Sequence, residues 1–248
     1  MNLQRAKLLT EILQKQTRKR THYQQGRAKA VCHILRHIPI IIRDDELIVG
    51  SSTLAPRGCQ TYPEFSYQWL EDELDTVETR SADPFYIAEE TKEELREVHK
   101  YWKGKTTSEL ALSYMAPEAV RAIEHNIFTP GNYFYNGVGH VTVKYEEVLA
   151  VGYEGIIKKA EQELSECNVG DGDYAERSHF LQAVILSCQA VIEYARRYSA
   201  LAQEMAEQCT DAAGKEELLR IAKTAAVFLP KEHRISMKHA SPSGLFSS

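Results

Sequence analysis

The sequence predicts a mainly α-helical protein with a few short strands, and three observations lead there. Leu181, Val184, Ile185, Cys188, Val191, Ile192, Ala195, Tyr198, Leu201, Ala202 and Met205 recur at spacings of three and four over about seven turns, the period of one helix face. Residues of high β propensity concentrate in one stretch, IPIIIRDDELIVGSS, Ile38 to Ser52. Other segments open with helix-start signals, such as the acidic turn at Ala88-Glu89-Glu90 and the proline at Pro117.

Taken in order, residues 3–18 and 27–37 read as helices, the second with Ala30, Val31, Ile34 and Leu35 on one face. Short strands are expected at Ile40–Arg43 and Leu47–Ser51, around the charged turn Arg43-Asp44-Asp45-Glu46. Pro56, Gly58 and Pro63 mark an irregular stretch that leads into a short helix at Tyr67–Val77. Acidic residues suit a helix dipole at its N-terminus, so a helix is expected from Ala88 to Trp102. Two more fit Thr107–Met115 and Pro117–Asn126. Tyr145–Glu166 is helical, and Gly170-Asp171-Gly172-Asp173 is a break before the long helix. A last helix runs from Asp211 to Val227. Phe228 to Ser248 has no period and few large apolar residues, and reads as a disordered tail.

Between the sixth and seventh of these helices lies GNYFYNGVGHVTVKYEEVL, Gly131 to Leu149. Gly131, Gly137 and Gly139 suit an irregular loop that lies close to something, and loops rich in large aromatics often carry function. His140 can donate, accept or carry a proton near neutral pH. A packed loop whose histidine satisfies a backbone carbonyl is the plainer reading of these residues taken alone.

Composition is that of an ordinary globular chain, 43% hydrophobic and 26% charged with a net charge of −5. No basic footprint for nucleic acid or an anionic membrane is present. No apolar run approaches the ~20 residues of a membrane span, and MNLQRAKLLTEI does not read as a signal peptide. Cys32, Cys59, Cys167, Cys188 and Cys209 are scattered without metal-ligand spacing, which points to reduced thiols in the cytoplasm. Cys188 falls on the apolar face of the long helix and is expected to be a core residue.

Five segments together carry a family resemblance. They are IPIIIRDDELIVGSS, PRGCQTYPEFSYQWLEDELD, ADPFYIAEETKEEL, YWKGKTTSELALSYM and NIFTPGNYFYNGVGHVTVKYEEVLAVGYEGII. In this order they resemble the N-terminal part of glycyl radical enzymes of the pyruvate formate-lyase superfamily, from about Arg27 to Ala226. The last two look most like the cobalamin-independent glycerol and 1,2-propanediol dehydratases. The resemblance implies that residues 1–227 are one part of a ten-stranded α/β barrel rather than a closed domain.

In that family an activating enzyme that uses S-adenosylmethionine and an iron–sulfur cluster places a radical on a glycine near the C-terminus. The glycyl radical oxidises a cysteine to a thiyl, which removes hydrogen from C1 of a small diol. Loss of the C2 hydroxyl as water then gives an aldehyde. The histidine of the family's GVGH segment contacts substrate hydroxyls and matches His140 here, where it can hydrogen-bond and help protonate a departing hydroxyl. With the resemblance, His140 becomes the leading substrate-binding candidate. Asn136 and Tyr135 are weaker candidates for which packing is the simpler role. Glu64 and the Arg43/Asp44/Asp45/Glu46 group are charged but are expected to be solvated.

The family's active-site cysteine sits in a Gly-Cys-x-Glu type motif and its radical glycine in an Arg-Val-x-Gly-Tyr type motif. Neither occurs in these 248 residues, and Cys59 lies in the wrong segment to stand in for the cysteine. No resident cofactor or metal is therefore expected on this chain, although the parent needs a glycyl radical and its activating enzyme. The resemblance further implies a homodimeric parent, with neither nucleic acid nor membrane among the partners.

A permissible coding sequence for Ile235 to Leu245, read from its third base, gives Phe-Tyr-Glu-Ala-Cys-Gln-Ser-Phe-Trp-Phe. This resembles the family's next helix, so residues 228–248 are expected to be a frameshifted tail. Arg20 to Ala28 admits a similar but weaker reading, against which stands ordinary loop variation.

Three functional readings compete at this stage. The first is the N-terminal segment of a glycyl radical diol dehydratase, inactive alone, with a formate acetyltransferase-like or other glycyl radical lyase as the alternative within the superfamily. The second is a helical binding module that docks on a full-length homologue or its activating enzyme. A metal-dependent hydrolase fails for want of clustered ligands. Resequencing the genomic DNA from codon 215 onward tests the frameshift. A shifted frame that continues into both missing motifs is the expected result, and a clean stop with no such frame removes it.

Overall fold

Leu3, Leu70, Leu74, Val77, Ile87 and Leu95 are buried together, and that cluster organises the first half of the chain. In this computed structural model the described residues are 1–16, 22–44, 46, 48–56, 58–131, 134–137, 139 and 141–227. They form two compact units, Met1–Thr142 and a second that starts at Val143.

In the first unit α1 (Gln4–Gln16) packs on α2 (Tyr23–His37) and on α4 (Glu89–Trp102). Between them Ala6, Leu9, Ala30, Tyr67, Val98 and Trp102 form a second apolar cluster. Trp102 is large and carries an N–H that must be satisfied when buried. Its Nε1 donates to Thr10 Oγ1 at 2.9 Å, and the Thr10 hydroxyl donates onward to the Ala6 carbonyl at 2.8 Å. Full burial of a side chain such as Leu70 or Leu95 stabilises the unit by about 1.5–3 kcal/mol. The intervening α3 (Gln68–Glu73) is followed by a single 3-10 turn at Val77–Thr79. The helix expected over Tyr67–Val77 is thus shorter than its pattern, and a tighter turn completes it.

α5 (Thr107–Ser113) starts at a capping box. Thr106 Oγ1 accepts from the Glu109 N–H at 3.1 Å, and Glu109 accepts from the Thr106 N–H at 3.1 Å. The pair satisfies donors that a helix N-terminus leaves without intrahelical partners. Burial opposes ionisation of Glu109, but donors from the Thr106 hydroxyl and the Gly104 and Thr106 amides outweigh it and hold the carboxyl below its ordinary range. α6 (Pro117–Glu124) follows, with proline in its first turn as expected.

The strands expected at Ile40–Arg43 and Leu47–Ser51 do not form among the described residues, and Leu47 lies outside them. Ile38 and Ile42 are buried, but this backbone finds no neighbouring strand. The Arg43 N–H donates to the Glu46 carboxylate at 2.9 Å instead, and the Arg43 guanidinium donates to the carbonyls of Thr53 and Leu54 at 2.7 and 3.0 Å. Strand propensity expresses a fit to a pleated neighbour, and without that neighbour side chains cap the segment. The isolated bridge in the described structure joins Asn2 to Gln60 in parallel. α2 also begins at Tyr23, earlier than residue 27, because the Gly26 N–H reaches the His22 carbonyl at 2.8 Å and extends the first turn.

The second unit is built on α8 (Tyr174–Gln208), which packs against α7 (Tyr145–Ser165) and α9 (Ala212–Val227). Cys188, Ile192, Ala195, Ser199, Ala202 and Ala206 are buried at alternating steps of four and three, the seam of closely packed helices. Alanines on that seam let helix backbones approach. Burial pushes the Cys188 thiol up, as befits a core position away from any charge that would activate it. No disulfide joins the cysteines, and no described helix is long and apolar enough to cross a membrane.

α7 is interrupted at Gly152, which is buried and has φ 64° and ψ 177°. That backbone region is almost closed to side-chain-bearing residues. Gly152→Ala should therefore lower stability by about 1–3 kcal/mol in urea unfolding followed by helical circular dichroism. Gly172→Ala, where an added Cβ meets nothing within 4 Å, should stay within about 0.5 kcal/mol. Equal losses at both positions would mean that the backbone at Gly152 is not the constraint.

Candidate functional site

The turn Tyr62-Pro63-Glu64-Phe65 is held from two sides. The Phe65 N–H donates to the Tyr62 carbonyl at 3.1 Å, which closes the turn. On one side the guanidinium of Arg5, from α1, forms a bidentate ion pair with Glu64. The same guanidinium stacks over the Tyr62 ring, 4.3 Å from its centroid. On the other side the first turn of α5 offers its otherwise unpaired amides. The Thr107 N–H donates to the Glu64 carbonyl and the Ser108 N–H to the Phe65 carbonyl, each at 3.0 Å.

The side chains of Arg5 and Glu64 are only 20% and 18% exposed, so this is not the solvated carboxylate expected from a turn. Bidentate geometry and partial burial make such a pair stronger than an ordinary surface contact. The sequence offered little warning, because Arg5 and Glu64 lie 59 residues apart and belong to different elements. The charged group at Arg43 likewise acts locally, as described for the strand segment. Asp44 sits exposed in that turn, and Asp45 lies outside the described residues.

A cavity of about 520 Å³ opens beside the turn. Its wall includes Arg5, Glu64, Phe65, Trp102, Lys105 and Thr107. The Lys105 ammonium lies 3.7 Å from the centre of the Tyr101 ring, a close cation–π contact. Nearby, burial pushes the His99 imidazole below its ordinary value, while its hydrogen bond to Glu71 works in the opposite direction. The Tyr67 phenol is raised by burial first and then by the carboxylates of Glu109 and Glu71. Among the described residues no group of three or more His, Cys, Asp or Glu side chains is placed to hold a metal ion.

The glycine-rich loop meets this turn at Gly137. A Cβ added there would lie 2.5 Å from Phe65 Cζ and 2.9 Å from Cε1, so the ring rests directly on the glycine backbone. Here the expectation that a loop glycine permits close approach acquires a named neighbour. At Gly139 an added Cβ would meet nothing within 4 Å. Tyr135 is 37% exposed with its ring edge-on to Phe134 at 4.9 Å, and Asn136 is exposed in the following bend. His140, the leading candidate from the sequence, lies outside the described residues.

Helical elements strung in this order, with an aromatic turn seated against a glycine-rich loop, define the chain's class once it is compared with known proteins. Residues 1–231 match the family described as pyruvate formate lyase-like, and the chain belongs to that family. The structure of 1,2-propanediol dehydration in Roseburia inulinivorans matches with a TM-score of 0.87 and 57% identity, over 93% of this chain and 27% of that one. The glycerol-bound B12-independent glycerol dehydratase of Clostridium butyricum matches with a TM-score of 0.87 and 48% identity, over 94% of this chain and 29% of that one. The (2S)-3-sulfopropanediol dehydratase of Klebsiella oxytoca is 33% identical over 227 residues, 88% of this chain and 27% of that protein. The chain thus spans little more than a quarter of the length of each of these relatives.

The ion pair can be weighed by a double-mutant cycle with Arg5→Met and Glu64→Gln, read from urea unfolding. A coupling above about 1 kcal/mol is expected, beyond what exposed pairs supply. A coupling near zero would reduce the pair to a surface contact.

Proposed function

We propose that this chain is the N-terminal segment of a glycyl radical diol dehydratase whose complete form converts 1,2-propanediol or glycerol to an aldehyde and water. The observation that carries this reading is the 57% identity to the Roseburia inulinivorans protein over 93% of the chain, with 48% to the glycerol dehydratase. In the complete enzyme a thiyl radical takes hydrogen from C1 of the diol, the C2 hydroxyl departs as water with a proton supplied nearby, and the resulting thiol returns its hydrogen to the product radical to give the aldehyde and restore the thiyl. His140 is the residue of this segment proposed to hydrogen-bond the diol and assist that departure. Tyr135 and Asn136 flank it with secondary roles.

The 248 residues contain neither the cysteine motif nor the radical-glycine motif, so the proposed chain has no turnover alone. It would work as part of a barrel, in a parent that is a cytoplasmic homodimer activated by an S-adenosylmethionine and iron–sulfur enzyme. The exposed apolar side chains of Leu110, Tyr114 and Ile127 support a segment made for a larger assembly, as does α6, which buries none of its residues. The same faces support the second reading, a helical module that docks on a full-length homologue or its activating enzyme. A formate acetyltransferase-like parent is the less favoured member of the superfamily, because the matches above are to diol dehydratases.

The test is a hybrid in which residues 1–227 replace the matching segment of the Roseburia inulinivorans protein. After anaerobic activation, the glycyl radical is followed by electron paramagnetic resonance and aldehyde formation by a coupled assay. Aldehyde from 1,2-propanediol or glycerol is expected, and His140→Ala should lower the rate by about 100-fold or more. A hybrid that carries the radical yet consumes neither diol would overturn the proposal.

A further inference from the structure

We propose that the cavity shared by α1, α2 and the end of α4 binds a small organic acid with an apolar body, an aryl or branched alkyl carboxylate, whose charged end pairs with Arg27 and Lys105 at the rim. The cavity lies wholly within the first unit, and every residue of its wall is described.

The wall is apolar because two helix faces meet there. Leu9 and Leu13 on α1, and Arg27, Ala30 and Ile34 on α2, follow one another at steps of three and four, so each set occupies one face of its helix. Trp102 closes the same wall from the end of α4. Its indole N–H already donates to Thr10 Oγ1 at 2.9 Å, which leaves the ring as hydrophobic surface. A volume of about 520 Å³ matches that of ordinary small-molecule sites, about 300–1,000 Å³.

Charge in this wall is unbalanced. Three cations, Arg5, Arg27 and Lys105, face the cavity against the single carboxylate of Glu64, in a chain whose net charge is −5. Arg5 and Glu64 neutralise each other in their ion pair. Among the described residues Arg27 and Lys105 find no carboxylate and rest on aromatic rings instead. Arg27 donates to the Tyr23 hydroxyl at 3.0 Å and lies 5.6 Å from the centre of that ring, while Lys105 lies 3.7 Å from the centre of Tyr101. A ring attracts a cation but carries no net charge, so both positive charges stay uncompensated.

Lys105 is also set in place by the backbone. Gly104 has φ 74°, a left-handed turn that glycine adopts at little cost, and it reverses the chain after α4. The Lys105 N–H then donates to the Trp102 carbonyl at 2.9 Å, and the next residue, Thr106, is the N-cap of α5. Such preorganisation lowers the cost of holding a ligand. A neutral diol offers these cations no charge. An inorganic anion would pair with them but leave the leucines and Trp102 in water. A carboxylate on an apolar body satisfies both parts of the wall.

The test uses the intact 248-residue chain, labelled with 15N and titrated with phenylpropionate and, in parallel, with the uncharged phenylpropanol. The chain has two tryptophans, Trp102 in the cavity wall and Trp69 outside it, and Trp69→Phe assigns their two indole N–H resonances. The acid is expected to move the Trp102 resonance, to leave that of Trp69 in place, and to bind at least about tenfold more tightly than the alcohol. Arg27→Met and Lys105→Met alter exposed side chains and keep their apolar stems. Each should weaken the acid by about tenfold and leave the alcohol unchanged. A Trp102 resonance that ignores millimolar acid, equal affinity for acid and alcohol, or acid binding untouched by both substitutions would each overturn the proposal. The same titration in the hybrid with the Roseburia inulinivorans protein should give the same shift. Binding that vanishes there would mean that the remainder of the longer chain fills the cavity, which would also overturn it.

Discussion

The Arg5–Glu64 ion pair ties the first helix of the chain to the turn that carries Phe65, and that turn in turn receives the first amides of α5. It joins residues 59 positions apart and orients the turn so that its carbonyls receive the amides of α5. The two parallel hydrogen bonds to Glu64 and the stack over the Tyr62 ring fix the guanidinium of Arg5 in one orientation. The turn consequently has little freedom. A short polar loop would otherwise be among the softer parts of a small helical unit.

From this anchor the structure divides labour between stiff and soft elements. Helices α1, α2 and α4 enclose an apolar cluster that includes Trp102, and the Trp102–Thr10–Ala6 hydrogen-bond relay removes the polar cost of burying the indole. Within the glycine-rich loop, Gly137 lies against the Phe65 ring. In the second unit the analogous stiff element is α8, whose seam of small residues admits close neighbours. The break at Gly152 interrupts α7 at a buried glycine whose backbone leaves the helical region.

Several large apolar side chains of the first unit are exposed. Tyr114 and Ile127 are 83% and 75% exposed, and α6 presents an amphipathic pattern with nothing buried beneath it. Such faces are energetically costly in water and characteristic of surfaces meant to meet other protein. The relatives matched above are more than three times as long as the segment they share with this chain.

The helices were legible in the sequence because their signals are local. A period of three and four, an acidic first turn and proline in a first turn act within a few residues, and each of the nine described helices overlaps a segment read as helical. The family, too, was legible, because five segments in order carry it. The misplaced strands at Ile40–Arg43 and Leu47–Ser51 had the opposite character, since strand formation depends on a neighbour that local residues cannot specify. Glu64 was discounted for the same reason: nothing in its surroundings along the chain announces Arg5. The seat of Gly137 on Phe65 spans 72 positions and no local pattern encodes it. The sequence by itself determined the helices and the family, both written in neighbouring residues. Only the tertiary structure decided which turn meets the glycine-rich loop and which charges are sheltered, because these depend on contacts between residues far apart in the chain.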